Sequence, residues 1–286
     1  MADSAIELLL GMRSADGGWG YQAGGVVATE PTSLAILALA DRVVAGELAT
    51  DVERLLERQR EDGMFTAEVN HLEPSWSTPL AALALNRVGQ VQPAQAAADA
   101  LLAMPIFTFN PLLNAGIYGY DTGIPGWPWT YGDFSFVEPT AMAMIALKRL
   151  GYGDEPRVRE GAATLRTRAL VAGGWNYGEP MVLGGTLFPT VAPTALALLA
   201  LADEQDEMTA AGLNWLEGQR GQISSLFSLG WAAIALNVLG ASDEGWKTDV
   251  MTLWDGSSPQ RRGPLETALA LLAVAESGGH PLTVSP

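Results

Sequence analysis

The sequence predicts an all-α protein built from six helix pairs, and three observations lead to this prediction. A short apolar signature, Pro/Ser-Thr-small-Leu-Ala-x-x-Ala-Leu, occurs six times, at about 31, 77, 139, 193, 228 and 266. More polar segments, with apolar residues at helical spacing, lie between the copies. The connections alternate between short and long. Repeats at this spacing indicate stacked supersecondary units, because a single unit cannot bury its apolar face.

The two kinds of segment predict two kinds of helix. The apolar segments have almost no charge and are rich in the helix formers Ala and Leu, so we expect buried helices there. The polar segments precede them at 2–13, 50–60, 92–104, 155–170, 206–219 and 244–254 and carry the apolar stripe of a surface helix. The simplest arrangement is an (α/α)6 toroid, six outer helices around six inner ones, in a single domain of residues 1–286. An open solenoid of the same pairs is the alternative.

The connections predict where a site lies. Those after the inner helices are short, about 89–91, 151–154 and 203–205, whereas those before the inner helices are long. The longest is a Gly-, Pro- and aromatic-rich insertion at 105–138. Long ordered loops in compact domains are usually functional. We therefore expect the site at the end of the molecule where the inner helices begin.

Composition excludes several classes of function. The 286 residues include 32 acidic and 16 basic side chains, and the net charge of -16 argues against nucleic-acid or anionic-lipid partners. There is no cysteine and there are two histidines, so we expect no metal centre and no cofactor. The first residues lack a basic region followed by an apolar core, and no apolar run reaches about 18 residues. This predicts a non-exported, cytoplasmic protein without a transmembrane segment.

Four loop motifs point to a known family. DGGWGY at 16–21, QREDGMF at 59–65, GWPW at 126–129 and AGGWNYG at 172–178 each precede an apolar repeat helix. Together they resemble the repeats of the terpenoid cyclase and protein prenyltransferase superfamily, over nearly the whole chain. The resemblance implies an α/α toroid with a central cavity that often holds long isoprenoid chains. The zinc site of protein prenyltransferases and the thioester of complement-like domains both need a cysteine, which this chain lacks.

The resemblance also implies an acid. Class II terpene cyclases carry Asp-x-Asp-Asp-Thr-Ala at the start of an inner helix, and the middle Asp protonates an alkene or epoxide. The comparable segment here is FVEPTA at 136–141, which places Glu138 at the acid's position and replaces the flanking aspartates by Phe136 and Pro139. The implied function is metal-independent, acid-initiated cyclisation of a hydrophobic isoprenoid or polyene substrate.

Glu138 and Asp133 are the candidate catalytic residues. An apolar cavity would keep Glu138 protonated by raising its pKa, against the smaller opposite effect of the helix N-terminus. Glu-Pro-Thr is also a helix-start signal and occurs at 30–32 as well, so a structural role is the alternative. The candidate substrate-binding side chains, from the long connections, are Trp76, Trp127, Trp129, Tyr131, Phe134, Phe136, Tyr177, Glu30 and His71. Aromatic faces among them would stabilise carbocations.

Two other functions remain open from the sequence. One is a glycan-active toroid, because tryptophan platforms and carboxyl pairs suit sugars. The other is a non-catalytic toroid that binds a lipid or a protein partner. A closed, dry pocket would favour isoprenoids, whereas a wet groove with two carboxyl groups about 5 to 10 Å apart would favour sugars.

Overall fold

The protein is mostly helical, as predicted. The computed structural model describes residues 2–44, 46–71, 73–74, 76–110, 119–182, 184–241, 244–276 and 279–284, and these ranges contain twelve α-helices. The apolar repeats form α2 (Thr29–Leu39), α4 (Thr78–Arg87), α6 (Val137–Arg149), α8 (Val191–Ala200), α10 (Leu226–Val238) and α12 (Pro264–Ala273). The polar segments form α1 (Ala2–Gly11), α3 (Ala49–Leu56), α5 (Val91–Ala103), α7 (Pro156–Thr167), α9 (Glu207–Gly218) and α11 (Glu244–Gly256).

The apolar helices pack against one another in chain order. Helix α2 contacts α4, and the contacts continue through α6, α8 and α10 to α12, which packs against α2. Each polar helix packs against one or two apolar helices, for example α3 against α2 and α1 against α12. Burial follows the same division: all eleven residues of α2 are buried, whereas the buried residues of α1 are Ala5 and Leu9. The core therefore lies among the apolar helices.

Four short strands and one 3-10 turn complete the described elements. Strand β1 (Trp127–Pro128) pairs antiparallel with β2 (Ser135–Phe136), with Trp127 opposite Phe136, inside the predicted insertion at 105–138. Residues 111–118 of that insertion lie outside the described ranges. Strand β3 (Met181–Val182) pairs with β4 (Gly185–Thr186) in the connection before α8, and the 3-10 turn spans Pro259–Arg261.

The long connections meet where the inner helices begin. The backbone N–H of Thr29, the first residue of α2, donates to the carbonyl of Ala67 at 2.8 Å, in the connection before α4. Likewise, the N–H of Val137 at the start of α6 donates to the carbonyl of Tyr177 at 2.9 Å, in the connection before α8. Each of these connections thus supports the start of a neighbouring helix. None of the helices in the described ranges combines the length and apolarity that a membrane span requires.

Candidate functional site

Three Gly-Trp pairs fix the long connections to the inner helices. In each, the tryptophan backbone N–H donates to a threonine hydroxyl in the following inner helix, at 3.0, 2.8 and 2.9 Å. The indole N–H donates to a carbonyl of the preceding outer helix, at 2.7, 2.9 and 2.7 Å. All three indoles are at most 1% exposed. The pairs are Trp19–Thr32, Trp127–Thr140 and Trp175–Thr194.

The glycine before the tryptophan is required by this close approach. A Cβ built on Gly126 would lie 2.5 Å from the Thr140 hydroxyl oxygen, and one on Gly174 would lie 2.7 Å from that of Thr194. In the second repeat Phe65 replaces tryptophan, and its N–H donates to the Thr78 hydroxyl at 3.0 Å. Four inner helices therefore start in the same register relative to their loops.

This register defines four equivalent positions, each two residues before the bonded threonine. They are occupied by Glu30 in α2, Trp76 two residues before α4, Glu138 in α6 and Ala192 in α8. Glu30 is 6% exposed, Glu138 is 7% exposed and Ala192 is 5% exposed. Trp76 is half-buried. We call these four the helix-start residues.

Glu138 is a buried carboxyl group without a hydrogen-bond partner among the described residues. Its pKa is raised from 4.5 to about 7, mainly by burial and to a smaller extent by the nearby Glu30 carboxylate. A buried carboxyl with no donor to stabilise its anion favours the neutral form. Glu138 can therefore hold a transferable proton near neutral pH.

Glu30 has a similar burial but a different environment. Its Oε2 atom accepts a hydrogen bond from the Tyr21 hydroxyl at 2.7 Å. The pKa of Glu30 is raised to about 7 as the net result of three causes: burial raises it most, the bond from Tyr21 lowers it, and the charge of Glu266 raises it. Burial also raises the pKa of Glu266. The Oε2 atom of Glu266 lies beside Gly263, near the Tyr21 carbonyl. Glu30, Glu138 and Glu266 therefore lie at the same end of the fold.

Trp127 and Asp133 both make structural contacts. Trp127, expected to contact substrate, is 1% exposed and bonds α5 to α6 in the same way that Trp19 and Trp175 bond their helices. The Oδ1 atom of Asp133 accepts from the N–H of Phe134 at 2.7 Å, which is a local turn bond. The carboxylate that acts on Glu138 is that of Glu30, not Asp133.

Some of the remaining aromatic candidates form two groups, and the others are half-buried or exposed. Trp76 and Trp129 meet edge to face, with ring centroids 4.8 Å apart. Phe134 stacks on Phe109 at 4.6 Å, and both contact Phe107. The other candidates are half-buried Phe136, Tyr131 at 38% exposure and Tyr177 at 57% exposure. Trp76 and Trp129 are thus the aromatic pair linked to a helix-start residue.

His71 lies apart from the helix-start residues. Its side chain is 63% exposed, and its Nδ1 atom is 3.9 Å from the Glu68 carboxylate. The ring therefore faces largely into solvent and pairs with a residue of its own loop.

Sequence reasoning did not select Tyr21 and Glu266 as site residues. Tyr21 lies in the DGGWGY motif, and its bond to Glu30 depends on how the intervening loop turns back. Glu266 begins the last apolar repeat and could have been found by comparing the acidic residues at the starts of the repeats.

Four cavities lie at the opposite end, where the inner helices finish. Their volumes are about 650, 490, 300 and 500 Å³. The linings include Leu201 after α8, Val88 after α4, Lys148 near the end of α6 and Ala275 after α12. The chamber expected beside Glu138 stays a prediction.

Comparisons with known proteins identify the fold. The chain is similar to a protein from Actinoplanes (16% identity, TM-score 0.61, 96% of this chain and 98% of that one). It is also similar to a variant of type II terpene cyclase MstE from Scytonema in complex with its substrate geranylgeranyl dihydroxybenzoate (16%, 0.62, 95% of each chain). A third similar structure is a mutant of Rex8A from Paenibacillus barcinonensis complexed with xylose (11%, 0.61, 100% and 95%). No protein-family model and no curated protein matches the sequence. The fold is therefore terpene cyclase-like, as the loop motifs predicted.

Proposed function

We propose that this protein is a terpene cyclase-like enzyme that cyclises an isoprenoid or polyene-type substrate, with Glu138 as the proton donor. The observation that carries the proposal is the environment of Glu138, which is buried, has no hydrogen-bond partner in the described residues and has a pKa of about 7. A general acid needs a pKa near the working pH to be both protonated and able to transfer its proton.

The proposed architecture is a closed (α/α)6 toroid whose interior holds the substrate. The contacts of the apolar helices, which return from α12 to α2, support this arrangement. The similarity to MstE in complex with geranylgeranyl dihydroxybenzoate supports an isoprenoid-bearing substrate for this fold. The substrate would lie among the inner helices, with its reacting double bond or epoxide next to Glu138.

In the proposed reaction the Glu138 carboxyl transfers its proton to a terminal alkene carbon or an epoxide oxygen. The alkene electron pair forms the new C–H bond, or the epoxide C–O bond breaks, and a carbocation results. Neighbouring double bonds attack in turn and close the rings. Loss of a proton from the last cation to water forms the product alkene, and the Glu138 carboxylate regains a proton from solvent. Trp76 and Trp129 would stabilise cationic carbons through their ring faces.

The chemistry of the helix-start residues supports an apolar substrate. Sugar sites need several polar groups that fix the hydroxyls. In α8, the inner helix that follows α6, the position equivalent to Glu138 is Ala192. Val137, the residue before Glu138, is fully buried. These residues offer no hydrogen bonds from their side chains.

A glycan-active enzyme is the second candidate. The similarity to xylose-bound Rex8A favours it, together with two buried carboxyl groups, Glu30 and Glu138, at equivalent positions. In that case Glu138 would protonate a glycosidic oxygen and Glu30 would act as nucleophile or base.

Turnover assays with Glu138→Gln test both candidates. Purified protein is incubated with linear polyenes, their terminal epoxides and xylo-oligosaccharides, and products are analysed by mass spectrometry. We expect cyclised products from the polyene or epoxide series and a loss of about 100-fold or more in the variant. Glu73→Gln, at an exposed loop position, is the matched control and should keep full activity.

Three results would contradict the proposal. Full turnover by Glu138→Gln would show that Glu138 is not the proton donor. Cleavage of xylo-oligosaccharides without polyene turnover would favour the glycan candidate. Native mass spectrometry that recovers an unchanged apolar ligand, with no turnover of any substrate, would favour a lipid-binding protein.

A further inference from the structure

Glu30 and Glu138 occupy equivalent positions but differ in their partners. The Tyr21 hydroxyl donates to Glu30 at 2.7 Å, whereas no described residue donates to Glu138. Both carboxyl groups are less than a tenth exposed, and neither forms an ion pair with a described residue. The Glu30 carboxylate raises the pKa of Glu138. Glu30 thus has a hydrogen-bond donor that Glu138 lacks.

Two anionic carboxylates this deeply buried are costly, so the pair retains a proton at neutral pH. The hydrogen bond from Tyr21 favours the negative charge on Glu30. A hydroxyl that donates to a carboxylate stabilises the anion, and Glu30 has such a donor. The pKa of the Tyr21 hydroxyl is raised by burial and by Glu30, so it remains a donor. The negative charge is then favoured on Glu30 and the proton on Glu138.

We propose that Tyr21 and Glu30 form a positioning pair that keeps the transferable proton on Glu138. This inference rests on the proposed function of Glu138 and changes the expected role of Glu30, from substrate contact to control of the proton. Tyr21 fixes Glu30 as the carboxylate, and the Glu30 charge opposes ionisation of Glu138. Environments that separate two neighbouring carboxyl groups in this way assign the acid in other enzymes.

Other charges near the pair come from three further elements. Glu266 at the start of α12 acts on Glu30, and Glu68 in the connection before α4 acts on Tyr21. Arg58, after α3, donates to the carbonyl of Val27 at 3.0 Å. Arg168, after α7, binds the Ser135 hydroxyl at 2.9 Å. Because Glu266 acts on Glu30, removal of its charge would change the group under test; Glu73, at an exposed loop position, is the matched control.

The experiment follows the protonation of Glu138 directly, in the absence of substrate. Isotope-edited infrared spectra of protein with labelled glutamate are recorded between pH 5 and 9, and the protonated-carboxyl band of Glu138 is assigned by its loss in Glu138→Gln. In the wild type we expect this band to persist at neutral pH. Tyr21→Phe should transfer the proton to Glu30 and lower the Glu138 midpoint by about one pH unit, a tenfold change in the protonated-to-ionised ratio.

Glu30→Gln should lower the midpoint in the same direction, because it removes the opposing charge, and Glu73→Gln should leave it in place. Circular dichroism checks that each variant folds. If Glu30→Gln does not fold, Tyr21→Phe still provides the test, because it keeps the aromatic ring and removes only the hydroxyl. An unchanged Glu138 midpoint in Tyr21→Phe, or no Glu138 band at neutral pH in the wild type, would overturn the inference.

Failure of the inference is distinct from failure of the proposed function. If the band shifts as expected but Glu138→Gln still turns over substrate, the proton control stands and the catalytic role does not. With an active substrate, the alkaline limb of the rate profile should move to lower pH in Tyr21→Phe and stay fixed in Glu73→Gln. A purely structural role for Tyr21 would lower the rate without moving that limb.

Discussion

The raised pKa of Glu138 predicts how folding stability depends on pH. In the folded protein Glu138 holds its proton up to a pKa of about 7, whereas an exposed glutamate in the unfolded chain loses it near 4.5. Between these values the folded state binds more protons than the unfolded state. The contribution of Glu138 is therefore fully present below pH 4.5 and is lost as the pH rises through 7.

The magnitude follows from the difference between the two pKa values. One unit corresponds to about 1.4 kcal/mol, so the shift from 4.5 to about 7 corresponds to about 3 kcal/mol of unfolding free energy. Replacement of Glu138 by Gln removes the titration and keeps the shape. We expect Glu138→Gln to match the wild type near pH 4 and to be about 3 kcal/mol more stable near pH 8.5, on the order of 1 M in urea midpoint.

The assay is urea denaturation at a series of pH values, with the wild type, Glu138→Gln and the exposed-site control Glu73→Gln. The comparison is made as a difference between variants, because other groups contribute to the absolute profile. The reasoning is wrong if the difference between wild type and Glu138→Gln stays constant from pH 4 to 8.5. It is also wrong if Glu73→Gln shows the same divergence.

Two further predictions concern the scaffold. Thr140→Val removes the acceptor for the buried N–H of Trp127 and should cost about 1 to 3 kcal/mol, whereas Thr140→Ser should be close to wild type. By calorimetry this is a fall in Tm of about 2 to 5 °C, at about 0.6 kcal/mol per degree for this length; equal Tm values for the two variants would refute it. Burial holds the pKa of His280 at about 4, below the usual 6.5, so stability should be lost as the pH falls from 6.5 to 4. His280→Gln, whose side chain can still reach the Leu272 carbonyl, should not show this loss of about 3 kcal/mol when urea denaturation is measured between pH 6.5 and 4. The same loss of stability in the wild type and in His280→Gln would contradict this prediction.

The helices were predictable because the repeats carry their own boundaries. Each apolar segment is uncharged over about ten residues, so helix formation and burial are specified locally. Five of the six apolar helices, α2, α6, α8, α10 and α12, begin two residues before the first residue of their repeat, as at α10, which begins at Leu226 before the repeat at Ser228. There the Ser225 hydroxyl accepts from the Ser228 N–H at 3.4 Å and caps a helix that begins earlier. The sequence repeat does not encode that cap.

The role of Trp127 was hidden by its position in an aromatic-rich loop, although a usable signal exists. Trp19 precedes Thr32, Phe65 precedes Thr78 and Trp127 precedes Thr140 by the same 13 residues. Equal spacing across repeats indicates a repeated structural contact, which would have assigned Trp127 to the scaffold.

The hydrogen-bond partner of Glu30 could not be predicted from the spacing of the repeats. Its partner Tyr21 lies nine residues earlier, across a loop whose return is fixed by tertiary contacts such as the bridge between Gly20 and Val27. The sequence therefore located both carboxyl groups but could not say which of them has a donor.

The pKa of Glu138 also limits the substrates that it can activate. A carboxyl with a pKa of about 7 stays loaded with its proton, but it is a weaker donor than an ordinary glutamic acid, by about 3 kcal/mol in transfer free energy. Transfer then depends on how well the protonated substrate is stabilised. An epoxide oxygen is more basic than an alkene carbon and relieves ring strain on opening, and the cation that forms can be stabilised by the Trp76–Trp129 pair. Among the polyenes and epoxides proposed for assay, the terminal epoxides should therefore react first, and Trp76→Leu should slow that reaction more than it weakens substrate binding.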